Sequence, residues 1–339
     1  MQPPLYVNFV SIGGGTGLSS LLSGLKAFVA DGKSEESDQS TLIKMLTAVV
    51  TVTDDGGSSG RLREEFHILP PGDIRNCLVA LSEDEKLLAK LFQYRFSGNG
   101  ELHGHSFGNL FLTALTGVTG DFLEAIKLSS EVLAIRGRIF PSTVTDVALI
   151  AELENGQIVS GETNISRSRS RIKRIRLSPE HCLPLEETLR AIESADMITL
   201  GPGSLYTSII PNLLVEGIPE AISRSKATKV YISNIMTQPG ETDGFTVQAH
   251  VEALLAAAPQ LKLDYIAINS GAISQSQKAS YASEGAIQIG LEELEQPFIT
   301  SSGSTVSLVT GDFLDESEKV RHSPRKLAEA LLKLCAAKN

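Results

Sequence analysis

The sequence predicts an α/β protein with a Rossmann-like, mainly parallel sheet that is covered by helices. Two observations carry this prediction. Apolar runs with strand-like composition alternate with segments of helical periodicity, an order typical of parallel sheets with helices on both faces. The first strand also ends in a glycine-rich loop that leads into an amphipathic helix, an arrangement found at the ligand-binding edge of such sheets.

The composition is that of a globular chain. Its 339 residues allow about two domains, or one large domain with an insertion. With 30 basic and 40 acidic residues, the net charge of −10 disfavours nucleic-acid binding and electrostatic docking to membranes. Tryptophan is absent, which leaves little material for a base-stacking surface. The three cysteines lie far apart, which indicates a reducing compartment without structural zinc.

The N-terminal segment predicts a strand. The apolar run Leu5–Ile12 is short, and no basic residue precedes it, so a signal peptide is disfavoured. No stretch of the sequence approaches the ~20 apolar residues of a membrane span. We therefore expect a soluble protein located in the cytoplasm.

The remaining boundaries follow from apolar periodicity. Leucines recur at three- and four-residue spacing from Leu18 and predict the first helix, and the polar, acidic stretch Asp31–Thr41 predicts a surface loop. The later strands are predicted at Leu46–Thr53, Ala195–Leu200, Lys229–Ile235, Asp264–Asn269 and Thr305–Val309, and helices are predicted after Ser204, Thr246 and Pro324.

A helical subdomain is predicted within the single domain of residues 1–339. Residues 73–135 have helical periodicity, and no strand-like run interrupts them. Ser82 is followed three residues later by Glu85, a capping-box pattern that predicts a helix start. A second helix is predicted to begin at Gly120-Asp121.

Residues 144–177 predict a β-hairpin followed by a basic strand. Asn155-Gly156 separates two strand-like runs, which is a strong hairpin signal. In an extended strand Arg167, Arg169, Arg171 and Lys173 would share one face. We interpret this run as a solvated edge strand protected by charge. An anion-binding or partner-docking strip is the alternative.

Two glycine-rich turns follow strands and are candidates for a phosphate-binding site. The residues are Gly13, Gly14, Gly15, Thr16 and Gly17 in the first turn, and Gly201, Gly203 and Ser204 in the second. Glycine allows close backbone approach, and the N–H groups of a helix start attract phosphate. The spacing is not GxGxxG, so tight turns without a ligand are the alternative. Two such turns at strand ends favour binding, because ligands of open α/β sheets lie at that edge.

Polar residues near the predicted strand ends are further candidates. Asp54 and Asp55 could hold Mg²⁺ or accept from ribose hydroxyls, although Asp before Gly-Gly is also ordinary turn chemistry. Asp73 and Asn76 lie at a helix start, where ligand contact competes with plain capping. Asn234 suits contacts to a base or sugar, and equally a plain connection.

Metal and nucleophile signals are weak. His103 and His105 resemble a metal pair without a third ligand, so packing or phosphate contact is favoured. The sequence has no GxSxG motif, and no Ser/His/Asp set stands out. We therefore assign no catalytic residue.

Together these motifs resemble the CofD-like superfamily, and specifically its bacterial gluconeogenesis-factor (YvcK-type) branch. The resemblance rests on the motifs at residues 13–17, 52–61, 71–76, 105–109, 201–208 and 234–242. It implies a Rossmann-like sheet and a nucleotide-sugar ligand, UDP-N-acetylglucosamine in the best-known relatives. The implied role is a cytoplasmic regulator of cell shape and cell-wall maintenance during gluconeogenic growth. A partner protein in cell-wall control and a homodimer are further expectations.

The resemblance also implies particular ligand residues. Asn109 lies in one matching motif, and Tyr281 and Arg321 match family positions tied to the ligand. A tyrosine ring can stack on uracil, and an arginine can clamp a diphosphate; surface packing is the alternative for both. No cofactor is expected to be required, and Mg²⁺ is an accompanying ion at most.

The alternative function is a Mg²⁺-dependent phosphoester transferase. The enzyme branch of the superfamily transfers a phospholactyl group onto a deazaflavin alcohol, and its first loop contains a lysine. Here Leu18-Ser19-Ser20 follows Gly17, so that lysine is missing. This departure favours a binding regulator over an enzyme, and the glycine spacing disfavours a dinucleotide-dependent oxidoreductase.

Overall fold

The computed structural model describes residues 4–30, 41–83, 86–168, 170–290, 294 and 297–337. The strands are β1 (Leu5–Gly13), β2 (Thr41–Val50), β3 (Arg138–Pro141), β4 (Ala148–Leu153), β5 (Ile158–Ser160), β6 (Ile172–Ser178), β7 (Met197–Leu200), β8 (Thr228–Ile232), β9 (Tyr265–Asn269), β10 (Phe298–Ile299) and β11 (Thr305–Gly311).

The helices are α1 (Gly15–Leu25), α2 (Gly57–Phe66), α3 (Gly72–Leu81), α4 (Lys86–Gln93), α5 (Phe107–Thr119), α6 (Phe122–Val132), α7 (Glu162–Arg167), α8 (Glu186–Glu193), α9 (Ile210–Leu213), α10 (Ile218–Arg224), α11 (Val247–Ala257), α12 (Gln275–Ser283) and α13 (Pro324–Ala337). A 3₁₀ turn at Lys26–Phe28 follows α1, and a π-helix at Leu205–Ile209 precedes α9.

The main sheet has eight strands in the order β10-β11-β9-β8-β7-β1-β2-β3. Its pairings are parallel except that of β10 with β11. The chain fills one side of β1 with β2 and β3, and the other side from β7 outward, so the strand order reverses between β1 and β7. In doubly wound sheets ligands bind at the carboxyl ends of the strands at such a reversal. The predicted fold class is confirmed.

The core lies on both faces of the central strands. β7 and β8 are buried along their whole length, as expected for strands covered by helices on both sides. Helix α1 contacts α3 and α13 and buries Leu18, Leu21 and Leu22 completely or nearly so. Burying each such side chain contributes about 1.5–3 kcal/mol, which fixes the start of α1 beside the end of β1.

Most predicted elements occur within a few residues of their predicted bounds. Strand β2 is an exception, because it begins at Thr41, before the predicted Leu46. The predicted acidic loop lies mostly outside the described residues. Strand β3, which pairs with β2, was not predicted at all.

The predicted helix start at Ser82 is wrong. Ser82 instead ends α3: its N–H donates to the Leu78 carbonyl oxygen, and its hydroxyl donates to Val79 O at 2.8 Å. The next helix, α4, begins at Lys86. The start at Gly120-Asp121 is confirmed, because the Asp121 carboxylate accepts the Glu124 N–H and caps α6. The helices between β2 and β3 begin at α2, earlier than residue 73.

A separate three-stranded antiparallel sheet has the order β5-β4-β6. The Asn155-Gly156 turn joins β4 to β5 as predicted. The predicted basic face is wrong at Arg167, because this residue ends helix α7 and the strand begins only at Ile172. Arg169 lies outside the described residues. Strand β6 is an edge of this sheet, and its Lys173 Nζ lies 2.6 Å from Glu152 Oε1.

Candidate functional site

The two glycine loops meet at the carboxyl ends of β1 and β7. Gly17 packs directly on the second loop, since a Cβ at this position would overlap the Pro202 carbonyl oxygen and lie 2.7 Å from its carbonyl carbon. Gly203 has φ +154°, a conformation that favours glycine. The Ser208 side chain lies beside both loops. A Cβ added at Gly14 would be 3.5 Å from the Ser208 Cβ, and a Cβ added at Gly203 would be 3.3 Å from it. The loops therefore form one continuous wall.

A cavity of about 590 Å³ opens on this wall. We call it the glycine-loop cavity, and its size suits a small-molecule ligand. The predicted ligand-binding residues that line it are Gly14, Gly15, Thr16, Gly17, Gly203, Ser204, Asn234, Tyr281 and Arg321. Gly13 and Gly201 lie behind it, where the Gly201 Cα would be 3.9 Å from a Cβ on Gly13.

A hydrogen-bonded chain of side chains fixes one side of the glycine-loop cavity. The Gln238 side-chain amide donates to Ser204 Oγ at 2.6 Å, and the Asn234 side-chain amide donates to Gln238 Oε1 at 3.2 Å. Because each amide is held by its neighbour, their polar atoms present a fixed pattern to the cavity. This chain also ties the loop after β8 to the loop after β7.

The opposite side of the cavity is built around Tyr281 and Arg321. The Val320 N–H donates to the Tyr281 hydroxyl oxygen at 3.1 Å, so the tyrosine holds the segment that carries the exposed Arg321 side chain. Next to it, His322 is 9% exposed, and its Nε2 has no partner among the described residues. Burial lowers the pKa of His322 to about 4, which keeps the imidazole neutral. His322 was not predicted; adjacency to Arg321 is its only signal in the sequence.

A second cavity, of about 270 Å³, lies between the starts of α2 and α3. We call it the α2–α3 cavity. The predicted residues that line it are Asp54, Asp73, Asn76 and Asn109. The structure thus divides the predicted set between two cavities.

Asp73 and Asp55 occupy different places in this arrangement. The Asp73 carboxylate accepts the Gly15 N–H at the start of α1 and therefore lies between the two cavities. The Asp55 carboxylate instead accepts from the Thr163 N–H at 2.8 Å and from its hydroxyl at 2.7 Å, at the start of α7. Asp55 lines neither cavity of the described chain.

Three carboxyl groups near the two cavities have raised pKa values. Burial, followed by the charges of Asp54 and Asp73, raises the pKa of Glu162 to about 9. Burial and Asp54 raise the pKa of Asp73 to about 6, and burial raises the pKa of Glu241 to about 7. Each group therefore holds its proton at a higher pH than usual. Glu162 and Glu241 line the glycine-loop cavity but were not predicted.

These carboxylates and the histidines are the side chains of this region with the chemistry to ligate a metal ion. No group of three or more His, Cys, Asp or Glu side chains in the described part of the chain could hold a metal ion. His105 Nδ1 lies 3.0 Å from Ser58 Oγ, a contact between neighbouring side chains.

The raised pKa of Glu162 predicts a pH-dependent stability. The folded chain binds this proton more tightly than the unfolded chain, so stability falls as the pH rises from 4.5 to about 9. We expect Glu162→Gln to raise the melting temperature at pH 8.5 clearly more than at pH 5. Thermal unfolding at both pH values measures this. Glu64→Gln, at an exposed position of α2, is the control for removing a charge; an equal shift in both variants would contradict the prediction.

The fold and the glycine-loop cavity define a doubly wound α/β protein with a cavity where the strand order reverses. The chain belongs to the CofD family, as the motifs predicted: the profile described as "2-phospho-L-lactate transferase CofD" matches residues 9–306.

Curated relatives of similar length carry the name "Gluconeogenesis factor". The protein from Halalkalibacterium halodurans is 46% identical, covering 96% of this chain and 95% of the relative. The one from Bacillus subtilis is also 46% identical, covering 95% and 96%. The crystal structure of a UPF0052 family member from Bacillus halodurans superimposes with a TM-score of 0.88 at 47% identity, covering 97% and 99% of the two chains. In the described residues, no helix combines the length and apolarity needed to cross a membrane.

Proposed function

We propose that this chain is a gluconeogenesis factor that acts by binding a nucleotide sugar, UDP-N-acetylglucosamine, in the glycine-loop cavity. The observation that carries the proposal is the packing of Gly17 on Pro202, which makes two backbone loops the wall of one cavity. The names of the relatives support the biological role. The family description supports a nucleotide-related ligand.

The diphosphate would lie over the first turn of α1 and the Gly203–Ser204 backbone. Main-chain N–H groups and the positive end of the α1 dipole favour an anion at this position. Arg321 would contact the diphosphate, and the Tyr281 ring would stack on the uracil. The fixed amides of Asn234 and Gln238 would donate to and accept from sugar or base.

Mg²⁺ is proposed as an accompanying ion, and as no more than that. Three glutamates, Glu162, Glu241 and Glu284, line the glycine-loop cavity. The positively charged Arg321 lines the same cavity. Ionised carboxylates repel a diphosphate, whereas protonated ones donate hydrogen bonds to it. Mg²⁺ bound by phosphates and one or two carboxylates would reduce the same repulsion.

The proposed role is regulatory, in the cytoplasm, in control of cell shape and cell-wall synthesis during gluconeogenic growth. A regulator must bind its ligand more tightly in one conformation than in another, since equal affinity shifts nothing. The second candidate is a phosphoester transferase. The α2–α3 cavity favours it, because Asp73 lies between this cavity and the glycine loop, where an acceptor would meet a bound nucleotide.

Calorimetry with UDP-N-acetylglucosamine, with and without Mg²⁺, tests the proposal. We expect saturable binding to one site, strengthened by Mg²⁺, and intact ligand after long incubation. Matched titrations with UDP and with N-acetylglucosamine separate the contributions that the nucleotide part and the sugar part of the ligand make to the affinity. Absence of saturable binding would overturn the nucleotide-sugar proposal. If chromatography shows that the ligand is converted to a product, the transferase hypothesis replaces the regulator hypothesis.

A further inference from the structure

The α2–α3 cavity contains a buried arginine that forms no direct ion pair within the described residues. The Arg75 side chain is 8% exposed; it donates from Nη1 to Ser106 Oγ at 2.7 Å and from Nη2 to Asn76 Oδ1 at 2.6 Å. Among the described residues its Nε has no hydrogen-bond partner. The charges of Asp73 and Asp54 attract the guanidinium, but neither carboxylate pairs with it directly. A buried guanidinium is most stable when each of its donors has an acceptor.

A second arginine lines the same cavity. Arg95 donates from Nη1 to the Gly104 carbonyl oxygen at 2.9 Å. After burial, its charge is the next cause that lowers the pKa of Arg75, so the two guanidinium groups repel each other. Like charges gathered at a cavity are stabilised when an anion binds between them.

Helix α2 adds a third attraction for an anion. It is ten residues long, begins at Gly57 on the cavity wall, and has no side-chain cap among the described residues. Ser58 and Ser59 line the cavity in its first turn. Asn109 is 1% exposed, and its amide nitrogen donates to Ser58 Oγ at 3.1 Å. Its Oδ1, which has no partner among the described residues, is an acceptor for a hydroxyl group of the ligand. Helix N-termini with nearby arginines bind oxyanions.

We propose that the α2–α3 cavity is a second binding site, for a small molecule that carries a phosphate or carboxylate group and at least one hydroxyl group. The oxyanion contacts Arg75, Arg95 and the start of α2. Asp54 and Asp73 also line the cavity, and their carboxylates accept hydrogen bonds from hydroxyl groups of the ligand. The cavity has less than half the volume of the glycine-loop cavity and shares no lining residue with it, so it selects a compact ligand.

Calorimetric titration with inorganic phosphate and, separately, with glycolate tests this site. We expect saturable binding of at least one of them at millimolar concentration, and the pair distinguishes a phosphate from a carboxylate ligand. Loss of a charged hydrogen bond should weaken that binding about tenfold in Arg95→Ala. Arg95 is exposed, so the variant should fold. Arg75→Lys, checked for folding by circular dichroism, should also weaken binding.

Arg61→Ala is the matched control. Arg61 is exposed and donates to the neighbouring His103 carbonyl oxygen, as Arg95 does to Gly104, but it does not line the cavity. Its loss should leave the affinity unchanged. Equal weakening in the Arg61 and Arg95 variants, displacement of the probe by UDP-N-acetylglucosamine, or no saturable binding of either probe would each overturn the proposal.

Discussion

Replacing Gly17 by alanine is expected to abolish nucleotide-sugar binding and to destabilise the fold. A Cβ at this position would overlap the Pro202 carbonyl group, which is backbone and cannot rotate away as a side chain can. Overpacking of this kind costs about 1–3 kcal/mol. It would also separate the two loops whose contact forms the proposed diphosphate site. Calorimetry and thermal unfolding of Gly17→Ala measure both effects.

Gly117→Ala is the matched control for this substitution. Gly117 also lies inside a helix, α5, but a Cβ there would have no heavy atom within 4 Å. Alanine in such an open helical position stabilises by roughly 0.5–1 kcal/mol relative to glycine, so this variant should be slightly more stable and should bind normally. Wild-type affinity in Gly17→Ala would show that the junction of the loops is not the ligand site.

Arg321→Ala is expected to weaken binding of UDP-N-acetylglucosamine by roughly tenfold to a hundredfold, the range for losing a hydrogen bond to a charged group. Stability should change little, because the side chain is exposed and lines the cavity without an ion pair among the described residues. Calorimetry at fixed Mg²⁺ and salt concentration measures the affinity.

Arg325→Ala controls for the loss of a nearby positive charge. Arg325 is four residues further on, is exposed, and pairs with Glu329 at 2.8 Å on α13, outside the cavity. This variant should bind as the wild type does. An unchanged affinity in Arg321→Ala would remove Arg321 from the proposed ligand contacts, and equal losses in both variants would indicate general surface charge.

The sheet was predictable because its signals are local. The central strands are rich in apolar residues and mostly buried, and the glycines after β1 and β7 mark where the backbone must turn. Strand β3 is only four residues long and alternates in burial, so it lacks that signal. Arg167 follows the same alternating pattern as the strand after it, but Gly161 at φ +91° starts a short helix there.

The site was predictable only where motifs mark it. The glycine loops and Asn234 follow strands, and topology then brings strand ends together. Glu162 could not be predicted, because the charges that raise its pKa come from the loop after β2, the start of α3 and the loop after β8. Asp54 and Asp73 line one cavity, and Asn234 lines the other. This division depends on how the helices after β2 pack, and no local sequence pattern predicts that packing.

The side chain of Asn212 donates to the carbonyl oxygen of Gly13, 199 residues earlier in the chain. This hydrogen bond joins the loop after β1 to α9 behind the glycine-loop cavity, with the helices and the small sheet made in between. Contacts so distant in sequence form late and slowly. A nascent chain still emerging from the ribosome would therefore lack the proposed nucleotide-sugar site, which only the finished molecule can form.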